Sequence, residues 1–248
     1  MQAVLNDSKT LTPIFDSNSE ISEIRLLFRE INRSTIRESN TDFYLMAKRI
    51  LDLSVAIVFM VLVMSWLFPI IALLIVLDSR GPIFFIQKRT GYKGREFNCY
   101  KFRTMTVNAD ADRKQATAND KRITRIGKFL RATYLDETAQ FFNVLFGDMS
   151  IVGPRPHMLY HTEYYSAIIP YYHLRHEVTP GMTGMAQVKG YVGEIVVERD
   201  LRKRIQWDVY YLKHRSFWLD IRIIFTTFFQ VLGKGLNLLK RSGTSDRA

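Results

Sequence analysis

The chain has 248 residues, enough for one substantial domain with appendages or for two small ones. Its single cysteine, Cys99, excludes an intrachain disulfide and a cysteine-based metal cluster. Lysine and arginine outnumber aspartate and glutamate by 35 to 24, a formal charge of +11 that calls for a polyanionic partner: nucleic acid, an anionic membrane surface or a phosphorylated substrate.

Residues 1–42 read as a polar leader without the basic start and apolar stretch of a cleaved signal peptide. Within it Ile21, Ile24, Leu27, Phe28 and Ile31 recur at helical spacing, with Ser17 and Glu20 placed as a capping box. This amphipathic helix could pack on the domain, lie on lipid or mediate self-association. Residues 43–79 hold the most apolar stretch: Val55 to Leu77 is broken only by Ser65 and Pro69, long enough for a bilayer core of about 20 residues. It has no polar face, which argues against a buried core helix. Lys48 and Arg49 precede it, and Arg80, Lys88 and Arg89 follow. Basic flanks prefer the cytoplasm, so a straight span would misplace one of them. Asp52 near the start and a helix-bending proline inside point the same way. The expectation is a re-entrant helix that dips in, breaks at Pro69 and returns, in preference to a single span.

Residues 80–204 are polar and form the expected catalytic domain. Ile83–Gln87 and Glu96–Phe102 read as a hairpin around Gly91-Tyr92-Lys93-Gly94. Asn108–Leu130 reads as helical or irregular, Gln140–Leu145 as a buried helix and His157–Ile169 as another helix. Gly147 and Gly153-Pro154-Arg155-Pro156 break regular structure, and Thr179-Pro180-Gly181 reads as a turn. In residues 205–248, Ser216–Leu232 is too short and too charged for a comfortable span. Trp207, Tyr210, Tyr211, Phe217 and Trp218 cluster beside Lys213, His214 and Arg215, a headgroup-region composition, so interfacial helices are expected. Juxtamembrane basic residues contribute about 1 kcal/mol each against anionic lipid, which accounts for the charge without nucleic acid. The expected fold is α-rich α+β: a single small catalytic domain with a short β-hairpin, one N-terminal re-entrant membrane helix and C-terminal interfacial amphipathic helices.

No dinucleotide-binding glycine pattern, P-loop or H-E-x-x-H motif is present. His157 and His161, one helical turn apart, read as polar surface rather than a metal pair. The distinctive feature is a set of charges. Lys101 and Arg103 share a short strand; Arg122, Arg125, Lys128 and Arg131 recur along a helical stretch ending at Asp136-Glu137; Asp148 follows, then Arg155 between two prolines. Cations beside carboxylates suit phosphoryl chemistry, in which a carboxylate is nucleophile or metal ligand. Taken alone, the same residues equally allow a solvated acidic pair and a structural salt bridge.

The strings Lys101-Phe102-Arg103-Thr104-Met105, Leu135-Asp136-Glu137 and Gly147-Asp148-Met149-Ser150-Ile151-Val152-Gly153-Pro154-Arg155-Pro156 resemble the bacterial sugar transferases, monotopic polyprenyl-phosphate phosphoglycosyl transferases, over roughly Phe43 to Gly233. The resemblance implies Asp136 as nucleophile on the β-phosphate of a UDP-sugar, release of UMP, and transfer from the aspartyl-phosphosugar to a polyprenyl phosphate. It implies Mg²⁺ held by Asp136, with Glu137 positioning the metal or moving a proton, and Lys101, Arg103, Arg131, Arg155, Arg175 and His176 binding substrate. A re-entrant helix, the bacterial inner membrane, a catalytic domain on the cytoplasmic face, self-association and downstream glycosyltransferases complete the implied setting. Pro180-Gly181-Met182-Thr183-Gly184 and Gly190-Tyr191-Val192-Gly193-Glu194 look like the branch that handles hexose-1-phosphate and initiates exopolysaccharide, capsule or O-antigen units. Val192 for a usual Arg, Ile195 for Thr, Met185 for Trp and Thr138-Ala139 for Leu-Pro depart from that branch and leave an N-acetylated or amino sugar open as donor. The rivals from other classes are a basic membrane-binding module and a folded but inactive relative.

Overall fold

The computed structural model describes residues 38–107, 120–193, 195 and 197–244. The leader helix expected over Ile21–Ile31 and most of the Asn108–Leu130 stretch lie outside the described residues.

The apolar segment is one long helical element. Helix α1 (Glu38–Phe59) passes through a π-helical turn at Met60–Met64 into α2 (Ser65–Asp78). The helix widens at that turn and continues through Pro69, which lies inside α2 and lacks only the one N–H bond that proline cannot make. A proline ring presses on the carbonyl four residues earlier, here that of Ser65, and a widened turn just ahead gives the chain room to accept it. The Val61 and Leu62 carbonyls also take side-chain bonds, from Ser65 Oγ at 2.6 Å and Trp66 Nε1 at 2.9 Å. An apolar medium demands that kind of backbone satisfaction. The stretch Asp42–Asp78 is long and apolar enough to cross a membrane by length and composition, and only 22 % of its most apolar window is buried.

One face of this element is nevertheless docked along its length. Lys48 donates to the Val152 carbonyl at 2.8 Å and pairs with Asp220 at 3.0 Å; Arg49 donates to the Val144 and Leu145 carbonyls at 2.7 and 3.0 Å. Asp52 is buried, accepting from Ser150 Oγ at 3.0 Å and the Ile151 N–H at 2.9 Å. At the far end Ile71 and Ile75 pack with Phe102 and Leu130, and Asp78 accepts from the Ile126 N–H at 2.9 Å.

The globular part is α-rich with little β structure. Strands β1 (Phe84–Thr90) and β2 (Glu96–Phe102) form the expected hairpin, from Phe84 opposite Phe102 to Thr90 opposite Glu96. Phe68, Phe84 and Phe102 meet with centroids 5.5–5.7 Å apart, joining hairpin to α2. Helix α3 (Arg125–Ala132), capped by Thr124, is followed by a 3₁₀ segment Leu135–Ala139 and α4 (Gln140–Phe146). A parallel pair follows that the sequence did not suggest: β3 (Ser150–Val152) beside β4 (Gly181–Thr183). Two glycines permit it, since a Cβ on Gly181 would lie 2.0 Å from the Gly153 nitrogen. Between them come α5 (Leu159–Ile168) and a 3₁₀ segment Tyr172–Glu177. The chain ends with α6 (Met185–Val188), α7 (Glu198–His214) and α8 (Phe217–Thr244). Helix α7 runs straight through the suggested boundary at 204/205, burying Leu201, Ile205 and Tyr211 in the core with Val144, Ile151 and Tyr172.

Candidate active site

The end of β2, the 3₁₀ turn after α3 and the loop after β3 converge on one cavity of about 870 Å³, walled on its far side by Thr227, Phe228 and Val231 of α8. The turn after α3 is sharp. Tyr134 sits in the left-handed region at φ 59°, and the next residues swing Asp136 and Glu137 toward β2. Such a conformation costs a non-glycine residue on the order of 1 kcal/mol and is held only by its surroundings. Lys234 of α8 donates to the Tyr134 hydroxyl at 2.5 Å.

The two carboxylates have opposite situations. Glu137 is saturated: Lys101 Nζ reaches Oε1 at 2.7 Å, while Arg155 forks across both oxygens, Nη1 to Oε2 at 2.9 Å and Nη2 to Oε1. Burial alone would raise its pKa, but Arg155 and Lys101 outweigh it and hold the carboxyl well below its usual range. Asp136 lines the cavity, and its carboxylate takes no hydrogen bond or ion pair among the described residues. Burial pushes it up to about 6, with Glu137 adding to the rise and Lys101, Arg131 and Arg155 opposing it. Neighbouring carboxylates driven apart in this way are what a division of labour requires. Glu137 is held as the counter-ion of Lys101 and Arg155, and Asp136 is the carboxylate left open to the cavity.

Arg155 is itself held from behind. The fully buried Arg175 donates from Nη2 to the Arg155 carbonyl at 2.6 Å, and its Nε and Nη2 meet Asp208 at 3.0 and 2.8 Å. Arg175, expected to bind substrate, does not line the cavity, and neither does His176. Arg175 is a positioning residue for the Gly153-Pro154-Arg155-Pro156 loop. Arg103 does line the cavity, yet it is committed elsewhere: its guanidinium donates to the Ser79 carbonyl at 2.6 Å and to the Arg80 carbonyl. It caps the end of α2, whose last carbonyls have no partner within the helix. Arg131 faces the cavity with Nε on Thr104 Oγ1 at 2.9 Å and no carboxylate within ion-pair distance among the described residues.

No group of three metal-ligating side chains exists among the described residues. Magnesium, however, needs few protein ligands when its substrate carries phosphates, with one or two carboxylates sufficing. Asp136 offers one free carboxylate facing the cavity, so the residues fit Mg²⁺ held jointly with a diphosphate. Glu137, with both oxygens taken by cations, does not fit the metal-positioning role expected of it. His157, read from the sequence as polar surface, is instead buried ahead of α5 and lines the cavity, because the Gly-Pro-Arg-Pro loop turns it inward. Sequence reasoning gave no site role to Arg89, Gln187 or Arg204, buried or half-buried around the same cavity.

The family described as bacterial sugar transferase matches residues 43–234, which hold all of these groups. The chain belongs to the bacterial sugar transferase family. Among curated members of that family, the UDP-glucose:undecaprenyl-phosphate glucose-1-phosphate transferase of Klebsiella pneumoniae is 47 % identical over 184 residues, 74 % of this chain and 39 % of the relative. A UDP-N-acetylgalactosamine-undecaprenyl-phosphate N-acetylgalactosaminephosphotransferase of Aeromonas hydrophila is 42 % identical over 191 residues, 76 % of this chain and 44 % of the relative. The exopolysaccharide production protein PSS of Rhizobium leguminosarum bv. phaseoli is 45 % identical over 170 residues, 66 % of this chain and 85 % of the relative. The chain thus spans about two fifths of the length of the first two family members.

Proposed function

We propose that the chain transfers a hexose-1-phosphate from a UDP-sugar to undecaprenyl phosphate, releasing UMP, as the step that initiates a surface polysaccharide unit. The observation that carries this reading is the split carboxylate pair, Asp136 unpaired in the cavity beside a Glu137 locked by Lys101 and Arg155. A carboxylate oxygen of Asp136 attacks the β-phosphorus, and the bond from that phosphorus to the bridging oxygen breaks. UMP leaves with the electron pair. A phosphate oxygen of the lipid then attacks the same phosphorus and displaces Asp136, giving the lipid-diphosphate-sugar and the free carboxylate. Lys101 and Arg155, aligned by Glu137, and Arg131 stabilise charge on the phosphate oxygens. Asp136 would be the residue to hold Mg²⁺, which would supply further neutralisation of the leaving phosphate.

Glucose or galactose is the donor favoured by the sequence of this branch, and the glucose-1-phosphate transferase of Klebsiella supports it. The Aeromonas relative, at nearly the same identity, supports the second reading, an N-acetylated hexose. The test is UMP release by detergent-solubilised protein with Mg²⁺, undecaprenyl phosphate and a panel of UDP-sugars, beside Asp136→Asn. Lipid-dependent release from one donor class, lost in the variant, is the expected result; undiminished release by the variant would remove Asp136 from its role.

The proposed setting is the cytoplasmic face of the bacterial inner membrane, with the Asp42–Asp78 element re-entrant. Its support is that Lys48, Arg49 and Asp52 at one end and Ile75 and Asp78 at the other all bind the same globular body. A span would carry one end about 30 Å away, across the hydrocarbon core. Helix α8 exposes Trp218 (78 %), Phe225, Phe228 and Phe229, which suits interfacial insertion. Single cysteines on the two flanks, labelled in oriented membranes, test the topology, with Cys99 buried and silent. Labelling of one flank from the outer side only would sink the re-entrant assignment.

A further inference from the structure

One cation at the cavity stands apart from the cluster around Glu137. Lys234, on α8, lines the cavity and makes no ion pair among the described residues. Its ammonium donates to the Tyr134 hydroxyl at 2.5 Å and lies 5.0 Å from the centre of that ring. An ammonium group has three hydrogens to give, so two remain for a ligand, on a side chain that is exposed. Tyr134 opens the turn that carries Asp136 and Glu137, so the lysine approaches that turn from the α8 wall.

The helix around Lys234 leaves room for an approaching group. The lysine lies between Gly233 and Gly235, and a glycine inside a helix costs about 1 kcal/mol against alanine. Neither glycine answers to crowding, since a Cβ on either would meet nothing within 4 Å. Both leave the helix surface beside the ammonium stem open. Thr227, Phe228, Val231 and Lys234 fall on one face of α8 at helical spacing, and all four line the cavity. Phe228 is also 60 % exposed and Val231 40 %, so the side chains that wall the cavity also form its outer margin. That margin is apolar, continues into the exposed Phe225 and Phe229, and meets a cation one helical turn past Val231.

Resting on the reading that the chain acts on undecaprenyl phosphate, we propose that Lys234 binds the phosphate of this acceptor, with Phe228 and Val231 against the first carbons of its chain. The acceptor joins an anionic head directly to a hydrocarbon tail, and α8 presents apolar side chains and then a cation in that order. A UDP-sugar has no hydrocarbon part to lay on such a margin, and its diphosphate has Lys101, Arg131 and Arg155 elsewhere on the cavity wall. On this assignment Lys234 donates to two oxygens of the lipid phosphate while the third attacks the phosphorus on Asp136. The bond from that phosphorus to the Asp136 oxygen breaks, and the carboxylate leaves with the electron pair. Lysine suits the task as a point charge on a flexible stem, able to leave Tyr134 and follow the phosphate.

The test is steady-state UMP release by detergent-solubilised protein, with undecaprenyl phosphate varied at saturating UDP-sugar and then the reverse. Because the two displacements are separate, kcat/KM for each substrate reports its own step. Lys234→Met should lower kcat/KM for undecaprenyl phosphate by about 10- to 100-fold, the loss of a charged hydrogen bond, while that for the UDP-sugar changes less than about twofold. Lys234→Arg, which keeps the charge, should recover most of the loss. Unfolding temperatures within about 3 °C of the parent show that both variants are folded. An equal fall for both substrates would make Lys234 a support for the Asp136 turn and overturn the proposal, as would a fall for the UDP-sugar alone or no change for either. Failure of the parent protein to release UMP from any UDP-sugar would instead overturn the functional reading itself, and this proposal with it.

Discussion

Asp136→Asn should stabilise the protein at alkaline pH, and by an amount that depends on pH. Burial raises the Asp136 carboxyl to about 6 from an ordinary 3.8, so in the folded protein its ionised form is penalised. A group with a raised folded pKa contributes stability below its unfolded pKa and loses it as pH rises through the folded one. About two pH units at about 1.4 kcal/mol each give a penalty near 3 kcal/mol at pH 8, falling to about 1 kcal/mol at pH 4.5. Asparagine is neutral throughout and carries no such pH-dependent cost. The variant's advantage in unfolding temperature should therefore be larger at pH 8 than at pH 4.5 by about 2 kcal/mol, or roughly 4–8 °C for a chain of this size. Thermal unfolding of both proteins in the same detergent at the two pH values measures it. The comparison cancels any packing difference between the side chains, because that difference is present at both pH values. An advantage that is constant, or that shrinks as pH rises, would refute the claim that burial outweighs Lys101, Arg131 and Arg155 at this carboxylate.

The same titration governs activity with the opposite sign, because only the ionised carboxylate is a nucleophile. In UMP release, kcat/KM should fall about tenfold per pH unit below about 6 and level off above it. A profile flat down to pH 4.5 would contradict the assignment. Glu137→Gln strips Lys101 and Arg155 of their shared counter-ion and should lower kcat by on the order of 10²–10³. Because Glu137 helps raise the Asp136 pKa, the acidic limb of the variant's profile should also move to lower pH; a limb that stays in place would show that the two carboxylates do not interact. Asp208→Ala leaves Arg175 as an uncompensated buried charge and should cost about 3–5 kcal/mol, roughly 6–20 °C in unfolding temperature. A shift under 3 °C would mean that the pair is solvated.

Local signals were readable in the sequence, and long-range ones only in part. The hairpin follows from alternation on either side of Gly91-Tyr92-Lys93-Gly94, and α4 from the compact apolar run after the acidic pair. The meeting of Lys101, Glu137 and Arg155 came from resemblance of their motifs, since spacings of 36 and 18 residues carry no geometric information by themselves. The parallel pair β3–β4 was invisible because each strand has three residues and its condition is the close approach of Gly153 and Gly181. Thr179-Pro180-Gly181 carried only a turn signal. Arg103 shows a different limit. It occupies the same strand phase as Lys101, and a guanidinium that can grip a phosphate can equally grip the bare carbonyls at a helix end. Which one it meets depends on where α2 stops, and that is set by tertiary packing. Asp52 likewise looked out of place in an apolar segment until its partners, Ser150 Oγ and the Ile151 N–H, came from a strand about a hundred residues away.

The polar residues at the two ends of the apolar element have a common logic. Lys48, Arg49 and Asp52 tie α1 to β3, α4 and α8, and Asp78 and Arg103 tie the end of α2 to α3 and to the strand that carries Lys101. The apolar element is therefore joined at both ends to the elements that hold Asp136, Glu137 and Arg155. A soluble nucleotide sugar can diffuse to an active site at any height, but a lipid phosphate is confined to the headgroup layer. On the proposed reaction, the second displacement proceeds only if the phosphorus on Asp136 lies where that phosphate can reach it. In that setting, polar bonds at each end of an otherwise apolar helix fix the height more firmly than burial alone, since sliding the helix by one turn, about 5.4 Å, would strip the buried Asp52 and the half-buried Asp78 of their partners. In the proposed setting, the charges that argued against a straight span are the ones that set the depth of the segment relative to the site.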